Sequence, residues 1–106
     1  MAKLPRPYER FRRAHPKVAR AVDRLGATLA EAGPLDAKTR ELVRLGMAAA
    51  TRSESAVHSH VHRALEAGVT RKAIEHAILL GATTIGFPAM MSALTWANAA
   101  FESHEA

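Results

Sequence analysis

Apolar residues recur along this chain at the three- and four-residue spacings of an α-helix, and no stretch sustains the period-two alternation of a strand. Val18, Val22, Leu25 and Leu29 predict an amphipathic helix from Pro16 to about Ala32, with its arginines outside. Pro16 suits the first turn of that helix, and Gly33-Pro34 ends it. Upstream, Pro5 and Pro7 make an irregular start, and a short turn is predicted over Tyr8 to Ala14. Downstream, Asp36 is the predicted N-cap of a second helix reaching about Ala50. Ser53 caps a third that stops near Gly68, and Thr70 a fourth from Arg71 to about Ile85, stopping at Gly86. Pro88 opens a fifth, which reaches about Phe101. The predicted fold is all-α, a compact bundle of about five or six helices.

The fourth of these helices loses its polar face as it proceeds. After His76 come Ala77, Ile78, Leu79, Leu80, Gly81 and Ala82, then Thr83, Thr84 and Ile85. A helix apolar all round is buried in a large core or covered by a partner, and a small domain has little interior to hide it. Gly81 and Ala82 permit close helix contacts, so a homo-oligomer is expected, a trimer or a hexamer. Met90, Met91 and Trp96 of the fifth helix are expected in the core or at that interface.

Length and composition sharpen this picture. A chain of 106 residues is one structural domain. Within it, residues 1–34 form a basic N-terminal arm with the first helix, and residues 35–103 the helical domain proper. The apolar fraction is 48% but only 5% is aromatic, so alanine and leucine dominate and favour closely packed helices. There is no cysteine, hence no disulfide, no thiolate nucleophile and no thiolate-bound metal. The absence of a secretory apolar segment, and of any apolar run of about 18 residues, leads to the expectation of a soluble, cytoplasmic protein without a membrane partner.

The net charge of +5 is concentrated at one end. Residues 1–24 hold eight basic side chains (Lys3, Arg6, Arg10, Arg12, Arg13, Lys17, Arg20, Arg24) against Glu9 and Asp23. No aromatic interleaving or nucleic-acid motif accompanies them, so a nucleic acid is not the expected partner. A solvated face, or pairing with acidic groups of another subunit, accounts for the arm.

Candidate chemistry lies between Ser53 and Ala67, where His58, His60 and His62 fall within five residues. Helical geometry puts His58 and His62 on one face with Glu54 and turns His60 the other way, beside Ser53, Ala56, Val57 and Ala64. That small, apolar face predicts that His60 lies against the core. Imidazole is the side chain that ordinarily changes charge near neutral pH, so His60 is either an acid–base group or a core histidine satisfied by a carbonyl. Glu54, His58 and His62 have a spacing that can hold a divalent ion, but the rest of a zinc site is missing, so a solvated polar stripe and no metal is expected. Glu41, on the second helix, either orients or exchanges a proton with His60 or pairs at the surface with Lys38 or Arg44. His15, His76 and His104 are assigned no role.

Three segments in order resemble the carboxymuconolactone decarboxylase and alkylhydroperoxidase D superfamily: LDAKTRELVRLGMAAA from Leu35, HSHVHRALEAGVT from His58, and IEHAILLGATTIGFPAMMSAL from Ile74. The likeness runs from Leu35 to Phe101 and implies an alkylhydroperoxidase D-like helical fold. In the peroxidase branch a glutamate, two cysteines and a histidine form the working pattern. Here Glu41 and His60 occupy the outer positions, while Ser53 and Ala56 stand where the cysteines belong. A serine hydroxyl neither ionises readily nor passes through a sulfenic acid, so peroxidase chemistry by that route is excluded.

The sequence is more similar to the decarboxylase branch, which also lacks the cysteine pair. That branch carries an arginine two positions before its histidine, where this chain has His58; His58, Arg63 or Arg52 are the candidate sources of positive charge. The resemblance implies a lyase that needs no cofactor and acts on a small carboxylated or lactone compound. His60 and Glu41 are then the catalytic candidates, with Ser53 and His58 bordering the pocket. A rival expectation is a non-catalytic homo-oligomeric module that binds an acidic partner through the basic arm. A more distant one is peroxiredoxin-type activity with a thiol supplied by another protein.

Overall fold

A computed structural model describes residues 6–105, with side chains from Pro7 onward. It contains α1 (Arg6–Ala14), α2 (Pro16–Ala30), α3 (Ala37–Ala50), α4 (Glu54–Glu66), α5 (Arg71–Leu79), a 3₁₀ segment (Leu80–Thr83) and α6 (Phe87–Glu105). No strand occurs among the described residues. Lys3, the start at Pro5 and the Arg6 side chain lie outside them.

Three helices begin as their capping residues dictate. Asp36 accepts from the Thr39 amide at 2.8 Å, Ser53 from Ala56 at 3.2 Å and Thr70 from Ala73 at 3.1 Å. Each satisfies an amide that the first helical turn leaves unpaired, an effect of about 1 kcal/mol. Helix α4 ends at Gly68, whose φ of +93° lets the Val69 amide reach the Ala64 carbonyl at 2.9 Å and the Gly68 amide that of Leu65 at 3.0 Å.

Three boundaries differ from expectation. Residues 8–14 belong to a nine-residue helix rather than a short turn. Arg12 fastens that helix to α2 by two bonds to the Asp23 carboxylate, at 3.0 and 2.6 Å. Helix α5 stops at Leu79 instead of continuing to Ile85. The β-branched run Thr83-Thr84-Ile85 resists α-helix, and the chain tightens so that the Gly81 carbonyl accepts from the amides of Thr84, Ile85 and Gly86. Helix α6 continues to Glu105, because neither glycine nor proline follows Phe101 to stop it.

The core lies among α3, α4, α5 and α6, where Leu45, Val57, Val61, Ile74, Ile78 and Phe101 are buried. Half of the sixteen buried apolar residues are alanines, including Ala93, Ala97 and Ala100 along α6, so the helices pack at short range. Met90 is buried and Trp96 packs against this core, whereas Met91 is exposed.

The amphipathic helix at residues 16–30 departs most from its expected role. Its apolar stripe Val18, Val22, Leu25 and Leu29 is 48–58% exposed, and Ala19 is the one buried residue that α2 contributes. Periodicity reports that a helix has an apolar face but not what covers it. Here α3 to α6 close the core by themselves. Outside α2, Leu79, Leu80, Phe87 and Met91 also stand exposed. Among the described residues no helix is long and apolar enough to cross a membrane.

Candidate active site

Between α2 and the α3–α4 pair runs a cleft of about 680 Å³. Arg44 of α3 and Ser55, Ala56, Ser59, His60 and Arg63 of α4 line one side. Val22, Leu25 and Leu29 of α2, with Tyr8 of α1, line the other. The apolar stripe that the core leaves uncovered is therefore largely a wall of this cleft.

His60 and Glu41 meet at its edge. The N-cap of α3 at Asp36 and that of α4 at Ser53 set the register that brings Glu41 Oε1 to 3.4 Å from His60 Nδ1, at the long end of hydrogen bonding. Glu41 Oε2 accepts from Arg44 Nη1 at 3.0 Å. Glu41 thus contacts the imidazole and also pairs with Arg44, while Lys38 takes no part. The Glu41 side chain is only 13% exposed. The hydrogen bond from His60 holds its carboxyl below the usual glutamate range; burial opposes this and Arg44 reinforces it. With the Nδ1 hydrogen directed at this carboxylate, His60 keeps Nε2, which has no hydrogen-bond partner among the described residues, for an occupant of the cleft.

The expected division of the three histidines is partly reversed. His60 borders the cleft and is 27% exposed, whereas His62 is fully buried against α6. His62 Nε2 lies 3.1 Å from the Ala100 carbonyl and 3.2 Å from Ser103 Oγ. The stripe taken for a solvated face therefore runs from an exposed Glu54 through a half-buried His58 to a buried His62. Val57, Val61 and Ala64 define the buried face of α4, so His60 and His62 flank it on opposite sides, and α6 covers the His62 flank. The His104 ring lies tilted against that of His62, with centroids 5.3 Å apart; among the described residues His104 Nδ1 and His58 Nε2 are buried without hydrogen-bond partners. Burial pushes the His58 imidazole below its ordinary value, with Glu54 opposing. Among the described residues no group of three or more His, Asp or Glu side chains is arranged to hold a metal ion.

The two residues expected at the pocket border stand elsewhere. Ser53 spends its hydroxyl on the α4 cap and does not line the cleft, and His58 faces away from it. Of the candidate cations, Arg63 lines the cleft, while Arg52 and His58 do not. Arg52, at φ +59°, belongs to the turn before α4.

The family model described as the carboxymuconolactone decarboxylase family matches residues 16–99. The chain belongs to this family. The match begins at Pro16 and so includes α2, which the three resembling segments omit. An uncharacterised protein of Haemophilus influenzae is 48% identical over 50 residues, which is 47% of this chain and 44% of that protein. The chain thus spans less than half the length of this relative.

This family member builds its cleft partly from Ser55 and Ser59, to which the sequence pattern gives no role. With the candidate cation Arg63 they recur at four-residue spacing on α4 and form one polar stripe next to His60. The spacing is present in the sequence, but by itself it is the same as that of a solvated helix face. The cleft wall from α2 had no such signal, because its residues read as ordinary core positions.

Proposed function

We propose that this carboxymuconolactone decarboxylase family protein is a cofactor-independent lyase acting on a small carboxylated or lactone substrate. The observation that carries this is the Glu41–His60 contact at the edge of a cleft large enough for a small ligand. In a decarboxylation the bond to the carboxyl carbon breaks, carbon dioxide leaves, and the electron pair passes into the adjoining carbonyl system as an enolate. The His60 imidazolium then delivers its Nε2 proton to the carbon that carried the carboxyl group, and Glu41 stabilises the charged ring until it does so. General acid–base assistance of this kind contributes about 10²–10⁴-fold. Oligomerisation through the exposed apolar surfaces belongs to the same proposal.

The test is carbon dioxide release from carboxymuconolactone and a panel of related acids by the purified protein, with His60→Ala alongside. Turnover by the parent and loss in the folded variant is the expected result. Equal turnover by the variant, or none by the parent on any acid, removes the proposal. A non-catalytic module is favoured by one observation: Arg10, Arg13, Lys17, Arg20 and Arg24 are exposed and have no carboxylate partner among the described residues. Under that reading, shortening the arm abolishes a salt-sensitive interaction while His60→Ala leaves it unchanged.

A further inference from the structure

The two walls of the cleft differ in chemistry, and its ion pairs leave one arginine without a partner. Asp23 would repel an anion, but Arg12 holds it in a two-bond pair at 3.0 and 2.6 Å. Arg44 is engaged by Glu41 at 3.0 Å. Arg63 has no carboxylate within ion-pair distance among the described residues, although it lies near enough to Asp23 to help Arg12 hold that carboxyl below its ordinary range. Its Nε donates to Ser59 Oγ at 3.3 Å, and its guanidinium lies 6.0 Å from the centre of the Tyr8 ring. The ring and the serine fix the direction of the guanidinium and leave its terminal N–H groups for a planar anion. Facing this arginine are Val22, Leu25 and Leu29, about half exposed to water.

We propose that the cleft takes an amphipathic monocarboxylate, with its carboxylate on Arg63 and its hydrocarbon body along Val22, Leu25 and Leu29. One arginine free of any ion pair matches one carboxylate, and the stripe gains by being covered with methylenes rather than with water. This deepens the reading of the cleft as a reaction site and rests on it. His60, on the same wall as Arg63, is then presented to the part of the acid nearest its carboxyl group.

The probes are unbranched alkanoates from butanoate to decanoate, below their micellar concentrations, titrated calorimetrically into the full chain. Affinity is expected to rise about two- to fourfold per methylene until the stripe is covered. Arg63→Gln is expected to weaken octanoate about tenfold or more while changing 1-octanol by less than about twofold. Arg63→Lys should recover part of the loss, and Leu25→Ser should flatten the chain-length dependence without removing the preference for the acid. Arg63 and Leu25 are both exposed, so folded variants are expected, checked by circular dichroism. No alkanoate binding, 1-octanol binding as tightly as octanoate, or Arg63→Gln binding like the parent overturns the proposal. Because binding is read without turnover, alkanoate binding by an inactive parent discards the lyase and keeps the ligand class. Turnover of an acid with no alkanoate binding discards the ligand class and keeps the lyase.

Discussion

Replacing His62 should damage the fold far more than replacing His60, two positions away. The His62 ring is fully buried and hydrogen-bonded to α6 through the Ala100 carbonyl. Truncation to alanine forfeits about 2 kcal/mol of ring burial and packing, and about 1 kcal/mol for the hydrogen bond. The sum of about 3 kcal/mol lowers the Tm of a domain this size by roughly 15 °C. His60 is 27% exposed, its contact with Glu41 is long, and Glu41 retains Arg44 when the ring is removed. His60→Ala should therefore cost under about 1 kcal/mol. Urea unfolding followed by circular dichroism, at one fixed protomer concentration, separates the two. If His60→Ala destabilises as much as His62→Ala, the assignment of one ring to the cleft and the other to the core is wrong.

Glu41→Gln should reveal a pH-dependent contribution of defined sign. A carboxyl held below its ordinary range adds stability that is complete above about pH 4.3 and is lost as pH falls through the depressed folded-state value. The stability gap between parent and Glu41→Gln in urea should thus shrink on acidification from about pH 7 to about pH 3, and a widening gap contradicts the geometry. Gly68→Ala forces a side chain into φ +93° and should lower stability by about 1–2 kcal/mol; thermal unfolding checks this, and an unchanged Tm shows that the turn relaxes. Self-association through the surface at Leu79, Leu80, Phe87 and Met91 predicts that Phe87→Glu shifts sedimentation toward monomer, and a parent already monomeric at micromolar concentration eliminates that interface.

The helices and their caps were largely legible because both are local. Asp36, Ser53 and Thr70 each announce a helix start through a hydroxyl or carboxylate three residues before the amide it accepts from. The Glu41–His60 contact lay partly within reach, since the family resemblance paired two residues nineteen apart whose side chains do approach. That His60 borders the cleft while His62 enters the core was not recoverable from α4 alone. Both histidines flank the face made by Val57, Val61 and Ala64, and the choice between them depends on where α6 lies. The role of α2 was hidden for a related reason. A stripe at Val18, Val22, Leu25 and Leu29 has the same periodicity whether it meets a core, a ligand or another subunit.

The wall of the cleft that comes from α2 is held to the rest of the molecule by little. Helices α1 and α2 add Ala19 alone to the buried apolar residues, and their strongest polar tie, Arg12 to Asp23, joins them to each other. Such a hairpin opens at a free energy well below that of global unfolding, so its amides should exchange with solvent by a sub-global route while those around Leu45 and Val61 wait for the whole fold. Any molecule that bridges α2 and α4 then acts as a fastener as well as an occupant. Part of its binding free energy goes into closing the hairpin, so the affinity it displays is set as much by how often α2 lies in place as by the contacts it makes there.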